Sequence, residues 1–102
     1  MDDDRFTIGE VYFHITYSGR GMRYPLIESL VYLGKNLSDK DIDNTWYFQP
    51  SSDYGRHGSA LDHDATLERP VYSFSEREIA DILDIANLAS ELERAAVRRV
   101  SR

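Results

Sequence analysis

Cysteine is absent from the 102-residue chain. That removes disulfide frameworks, cysteine zinc sites, iron–sulfur clusters and thiol nucleophiles together. No apolar run approaches the length of a membrane span. The N-terminus, MDDDRFTIGE, opens on acids and has no apolar stretch, so it does not read as a secretory signal. A cytoplasmic location without a membrane partner is the expectation. Lysine and arginine form no cluster before the C-terminus, and 18 acidic against 12 basic side chains give a net charge of −6. Phosphate neutralisation needs a basic surface, so nucleic acid is not an expected partner. Internal repeats, low-complexity tracts and linkers are also missing. One domain over 1–102 is expected, with 1–5 as a disordered tail.

Against these absences stand 41% hydrophobic and 12% aromatic residues, enough for a core without metal or disulfide staples. Glu10 to Tyr17 alternates with period two. Val11, Phe13, Ile15 and Tyr17 share one face, and Glu10, Tyr12, His14 and Thr16 share the other. Gly9 is a candidate bulge, and SGRG at 18–21 signals a turn. Leu26 to Leu33, Thr45 to Gln49 and Val71 to Phe74 read as three further strands, bounded by Pro25, Gly34, Pro50 and Pro70. Residues 50–69 read as a long loop.

A helix is predicted over about 75–99. Ser75 and Glu78 have capping-box spacing, and Phe74 and Ile79 occupy the hydrophobic-staple positions. Ile79, Ile82, Leu83, Ile85, Ala86, Ala89, Leu92 and Ala96 form its apolar arc, with Leu88 outside. Arg98, Arg99 and Arg102 suit the negative end of the helix dipole. The order β-β-β-β-α predicts an α+β fold: a small antiparallel meander of about four strands with a C-terminal helix packed on one face. Curling into an SH3-like barrel is the subordinate alternative.

Four groups of residues carry candidate chemistry. His57, Asp62, His63 and Asp64 combine imidazole and carboxylate donors that suit a first-row metal, though the spacing is not one of the common structural-zinc patterns. Arg56, His57 and Ser59, bracketed by Gly55 and Gly58, offer a guanidinium, an imidazole, a hydroxyl and exposed amides to an anion or small ligand. This loop lacks the length and lysine of a P-loop. His14 lies on a face to which a neighbouring strand can bring Glu28, an acid–base pair by residue type. No serine stands in a Gly-x-Ser-x-Gly turn. Lastly, Tyr12, His14, Tyr32, Tyr47 and Tyr72 are candidates for an aromatic sheet face left open by the helix, of the kind that favours interfaces.

The expected function is a small, cytoplasmic, non-catalytic interaction module without a cofactor. It binds a protein partner, or a second copy of itself, through that aromatic face. The alternative is a small-ligand or metal-binding protein, with an enzymatic role open, built on the Arg56–Asp64 loop.

Overall fold

The computed structural model describes residues 5–22, 24–41, 43–62 and 70–100. Five strands form one antiparallel sheet: β1 (Val11–Ser18), β2 (Tyr24–Lys35), β3 (Thr45–Pro50), β4 (Tyr72–Ser75) and β5 (Ile82–Leu83). A short helix α1 (Ser51–His57) follows β3, and α2 (Ile85–Val100) closes the chain. The strand order is β4-β3-β2-β1-β5. The α+β meander with a C-terminal helix is therefore present. Its fifth strand, two residues long, lies inside the segment that reads as helix in the sequence.

The four expected strands form where period two and β-forming residues place them. The β1–β2 turn uses Gly19 and Gly21 at φ 82° and 71°, a conformation that costs glycine little. In β2 the register against β3 shifts between Tyr32 and Gly34. Such a bulge bends its strand and increases local twist.

The sheet is strongly curled. Three strand positions separate β1 from β4, about 14 Å in a flat sheet. Yet the rings of His14 on β1 and Phe74 on β4 have centroids only 5.1 Å apart. A 3₁₀ turn at Glu78–Asp81 then carries the chain from β4, at one edge, to β5, at the other. β4 and β5 do not pair, so the curl stops short of a closed barrel and leaves a seam.

The concave face is the aromatic one. Tyr12, Leu30, Tyr32, Trp46, Phe48, Ile79 and Ile82 make the core cluster, with Phe6 and Phe74 packed against it. Burying each large side chain contributes about 2–3 kcal/mol, and a flat sheet with its helix on the other face would leave most of this surface wet. The buried Tyr12 hydroxyl accepts the Thr7 amide at 2.7 Å, so the ring carries no unsatisfied polar group into the interior. Arg5 and Lys35 lie 5.0 and 4.9 Å from the Trp46 ring centroid. Arg5 is thus packed on the core edge and is not part of a loose tail. Asp2 to Asp4 lie outside the described residues.

The predicted helix start needs correction. The Ser75–Glu78 capping box forms, with the Ser75 amide donating to Glu78 Oε1 at 2.8 Å and the Glu78 amide to Ser75 Oγ at 3.3 Å. It brackets the bend between β4 and the 3₁₀ turn, however, and α2 begins ten residues after Ser75. There Asp84 accepts the Asn87 amide at 2.9 Å, the bond of an N-cap residue to N3. Ile79 and Ile82 belong to the turn and β5, so the apolar run that resembles one continuous helical arc is divided between three elements.

The face of α2 that packs also differs. Leu88 and Ala95, at i and i+7, are buried, whereas Ile85 is 72% exposed. Tyr17 on β1 donates a hydrogen bond to Glu91 on the same side of the helix. Leu88→Ala is expected to cost about 2–3 kcal/mol and Ile85→Ala less than about 0.5 kcal/mol, measured by urea denaturation. The opposite order would return α2 to the orientation predicted from its apolar arc.

Candidate functional site

The β1–β2 register sets His14 opposite Glu28. Both lie on the concave side, since His14 is two residues from Tyr12 and Glu28 two from Leu30. The curl then lays β4 across them. The result is a cleft of about 370 Å³ along the open seam, walled by His14, Glu28, Val71, Tyr72, Ser73 and Phe74. Val71 and Tyr72 are 39% and 37% exposed, so its outer wall meets solvent.

The cleft is electronegative. The Tyr72 hydroxyl is held above its ordinary pKa of 10.0, chiefly by the nearby Glu28 charge, with desolvation and a hydrogen bond to Glu28 adding to it. Ionising Tyr72 would set a second negative charge beside the first. Glu78 approaches His14 from the turn after β4. Its pKa is held below the ordinary value by hydrogen bonds from the Ser75 amide and hydroxyl, against desolvation and with help from His14. Among the described residues, no lysine or arginine pairs with Glu28.

Of the proposed aromatic face, His14 and Tyr72 meet in this cleft. Tyr12 and Tyr32 do not join them on the surface, because the curl turns their side of the sheet inward. Tyr47 alternates with Trp46 and Phe48 and so points to the opposite face. Its hydroxyl donates to the Asp41 carboxylate at 2.9 Å and ties down the β2–β3 connection. That bond, followed by burial and the Asp41 charge, raises the Tyr47 pKa.

The Arg56–Asp64 segment also differs from the exposed loop expected of it. Ser51–His57 is helical, and Arg56 and His57 occupy the last turn of α1, where the dipole favours cations and opposes anions. Of the amides expected to face an anion, that of Gly58 already has an acceptor, as do the neighbouring amides of Ala60 and Asp62. Gly58 N–H donates to Tyr54 O at 2.7 Å, Ala60 N–H to Gln49 Oε1 at 2.8 Å, and Asp62 N–H to Ser59 O at 3.1 Å. The Ser59 hydroxyl accepts the Leu61 amide at 3.1 Å. Among the described residues, no group of three histidine or carboxylate side chains is placed to hold a metal ion. His63 and Asp64 of the proposed metal set lie outside the described residues.

Gln49 is the residue that sequence reasoning missed. Its side chain is fully buried on the face opposite the aromatic core. Its Nε2 donates to Asp53 Oδ2 at 2.6 Å and to the Gly58 carbonyl at 3.1 Å, while Oε1 accepts from Ala60. One amide thus fixes both ends of α1 to β3. The available signal was local: Pro50, Ser51 and Asp53 resemble a helix start and follow Gln49 directly.

A larger cavity, about 650 Å³, lies between β1, the Glu78–Asp81 turn and α2. Of the two carboxylates that line it, Asp81 and Glu91, the latter is already engaged. Glu91 accepts from Tyr17 and, through Oε1, from Arg94 Nε at 3.0 Å and an Arg94 terminal nitrogen at 2.8 Å. The seam cleft, smaller but walled by two aromatic rings and an imidazole beside its carboxylate, is the better candidate.

Comparison with protein-family models, with curated proteins and with solved structures gives no match. The chemistry of the cleft is therefore what bears on function.

Two outcomes test this geometry. Glu28→Gln is expected to lower the Tyr72 pKa while leaving Tyr47, held by Asp41, unmoved; NMR titration of ζ-¹³C-labelled tyrosine reads both. A raised folded pKa means that this contribution to stability is present below pH 10.0 and is lost as pH climbs through the folded value. Gln49→Leu removes the hydrogen bonds from Gln49 to the Ala60 amide and the Gly58 carbonyl. It is expected to cost about 2–4 kcal/mol by chemical denaturation.

Proposed function

We propose that the protein is a small, non-catalytic, cytoplasmic module that binds a basic protein partner at the seam cleft. The observation that carries this reading is the division of the aromatic surface. Curling takes Tyr12 and Tyr32 inside and leaves Val71 and Tyr72 exposed around the Glu28 carboxylate. Leu26, two residues before Glu28 on the same side of β2, is exposed as well. An apolar surface around a carboxylate that no described lysine or arginine pairs with supplies both contact area and selectivity.

Charge decides the kind of partner. Glu28 and Glu78 both flank His14, and the chain carries a net charge of −6. A segment with positive side chains is attracted to this surface, whereas nucleic-acid phosphates are repelled. The absence of cysteine accords with a reducing cytoplasm. The openness of the cleft favours binding over catalysis, because a His14–Glu28 pair bathed in water works at high dielectric and lacks an enclosed reaction volume.

Val71→Asp and Leu26→Asp alter exposed positions and are expected to leave the thermal midpoint nearly unchanged. Crosslinking in the native host, followed by reconstitution with the purified partner, measures the effect on binding. Each variant is expected to weaken the complex at least about tenfold, and added salt is expected to weaken the wild-type complex. Equal affinity of wild type and both variants would remove the seam as the interface.

A further inference from the structure

We infer that the seam cleft takes one organic cation, the alkylammonium or guanidinium end of a lysine or arginine side chain, between the Tyr72 and Phe74 rings and the Glu28 carboxylate. The inference rests on the proposed reading of the seam as an interface and names what anchors there.

Three features of the cleft point to this ligand. Its volume, about 370 Å³, is at the small end for ligand sites and suits a single side chain. Its walls combine two aromatic rings and an imidazole with a carboxylate, and a cation over an aromatic face is attracted by the ring quadrupole. Its carboxylate lacks an internal counter-charge among the described residues.

The contrast with Trp46 sharpens the point. At that end of the sheet the chain supplies its own cations, with Arg5 and Lys35 both within 5.0 Å of the ring centroid. The seam has the same aromatic provision plus a carboxylate, and no described lysine or arginine fills it. An anion would meet Glu28 directly. A neutral apolar group would gain the rings but strip water from the carboxylate without replacing it.

The test is an amide-resolved NMR titration of the intact chain with tetramethylammonium chloride, lysinamide and argininamide. Each is compared with sodium chloride at equal ionic strength. Saturable shifts confined to residues 14, 28 and 71–74 are expected with the organic cations and not with sodium. Tyr72→Leu keeps apolar bulk and removes the ring, and Glu28→Gln keeps shape and removes the charge. Each is expected to weaken saturation about threefold to fivefold, with the spectra confirming an unchanged fold. Preference for argininamide or for lysinamide assigns the cation as guanidinium or alkylammonium.

Shifts no larger than those with sodium, or saturation unchanged in both variants, would overturn the inference. Loss of partner binding in Val71→Asp without any cation-specific shift overturns the cation and keeps the interface. Cation-specific shifts with unimpaired partner binding in Val71→Asp do the reverse.

Discussion

The Phe48 ring touches aromatic rings from four other parts of the chain. Its centroid lies 5.3 Å from Phe6, 6.3 Å from Tyr12, 5.2 Å from Tyr32 and 5.6 Å from Phe74. These partners come from the N-terminal segment, β1, β2 and β4. A flat meander cannot satisfy all four at once, because β1 and β4 would stand on opposite sides of it and too far apart. The ring cluster therefore requires the curl. The curl in turn requires the bulge in β2 and the compact turn between β4 and β5. The seam is what remains where the curl ends without a further strand pair.

The two faces of β3 divide the labour. Phe48 gathers the aromatic core on the concave side. Gln49, the next residue, faces the other way and fixes α1 through three hydrogen bonds. A buried amide with every group paired adds specificity of placement that apolar packing alone does not supply. α1 and α2 both lie towards the convex side, so neither face of the sheet is left bare, and little aromatic surface remains for recognition outside the seam.

Much of this was legible in the sequence, and the misses have physical reasons. Period two located the first strand, β-forming residues bounded by proline and glycine located three more, and alternation placed His14 with Glu28 because it fixes which residues share a face. Alternation does not say which face turns inward, and so Tyr12 and Tyr32 resembled surface residues. The reciprocal Ser75–Glu78 bonds form as their spacing predicts, but the same bonds can hold a bend ahead of a 3₁₀ turn as well as the start of an α-helix. Leu88 fell outside an arc drawn through Ile79 and Ile82, and that arc is wrong once those two residues belong to other elements. Tyr72 was among the candidates, but its meeting with His14, and the entry of Val71 and Phe74, depend on long-range closure, which short-range patterns do not encode. In the Arg56–Asp64 segment, residue types suggested a ligand site, while the backbone hydrogen bonds that occupy its amides depended on Gln49 and on the fold.

The walls of the seam cleft come from distant stretches of chain, His14 and Glu28 on one side and residues 71–74 on the other. The β1–β2 hairpin is local and can form early, whereas joining β4 to it closes a loop of more than forty residues, at an entropic cost that only the aromatic cluster offsets. Recognition at the seam is thereby tied to completion of the fold. A nascent or truncated chain ending before residue 70 holds the carboxylate and imidazole but lacks the β4 wall of the cleft, so any partner bound there in the way proposed would engage the finished fold alone.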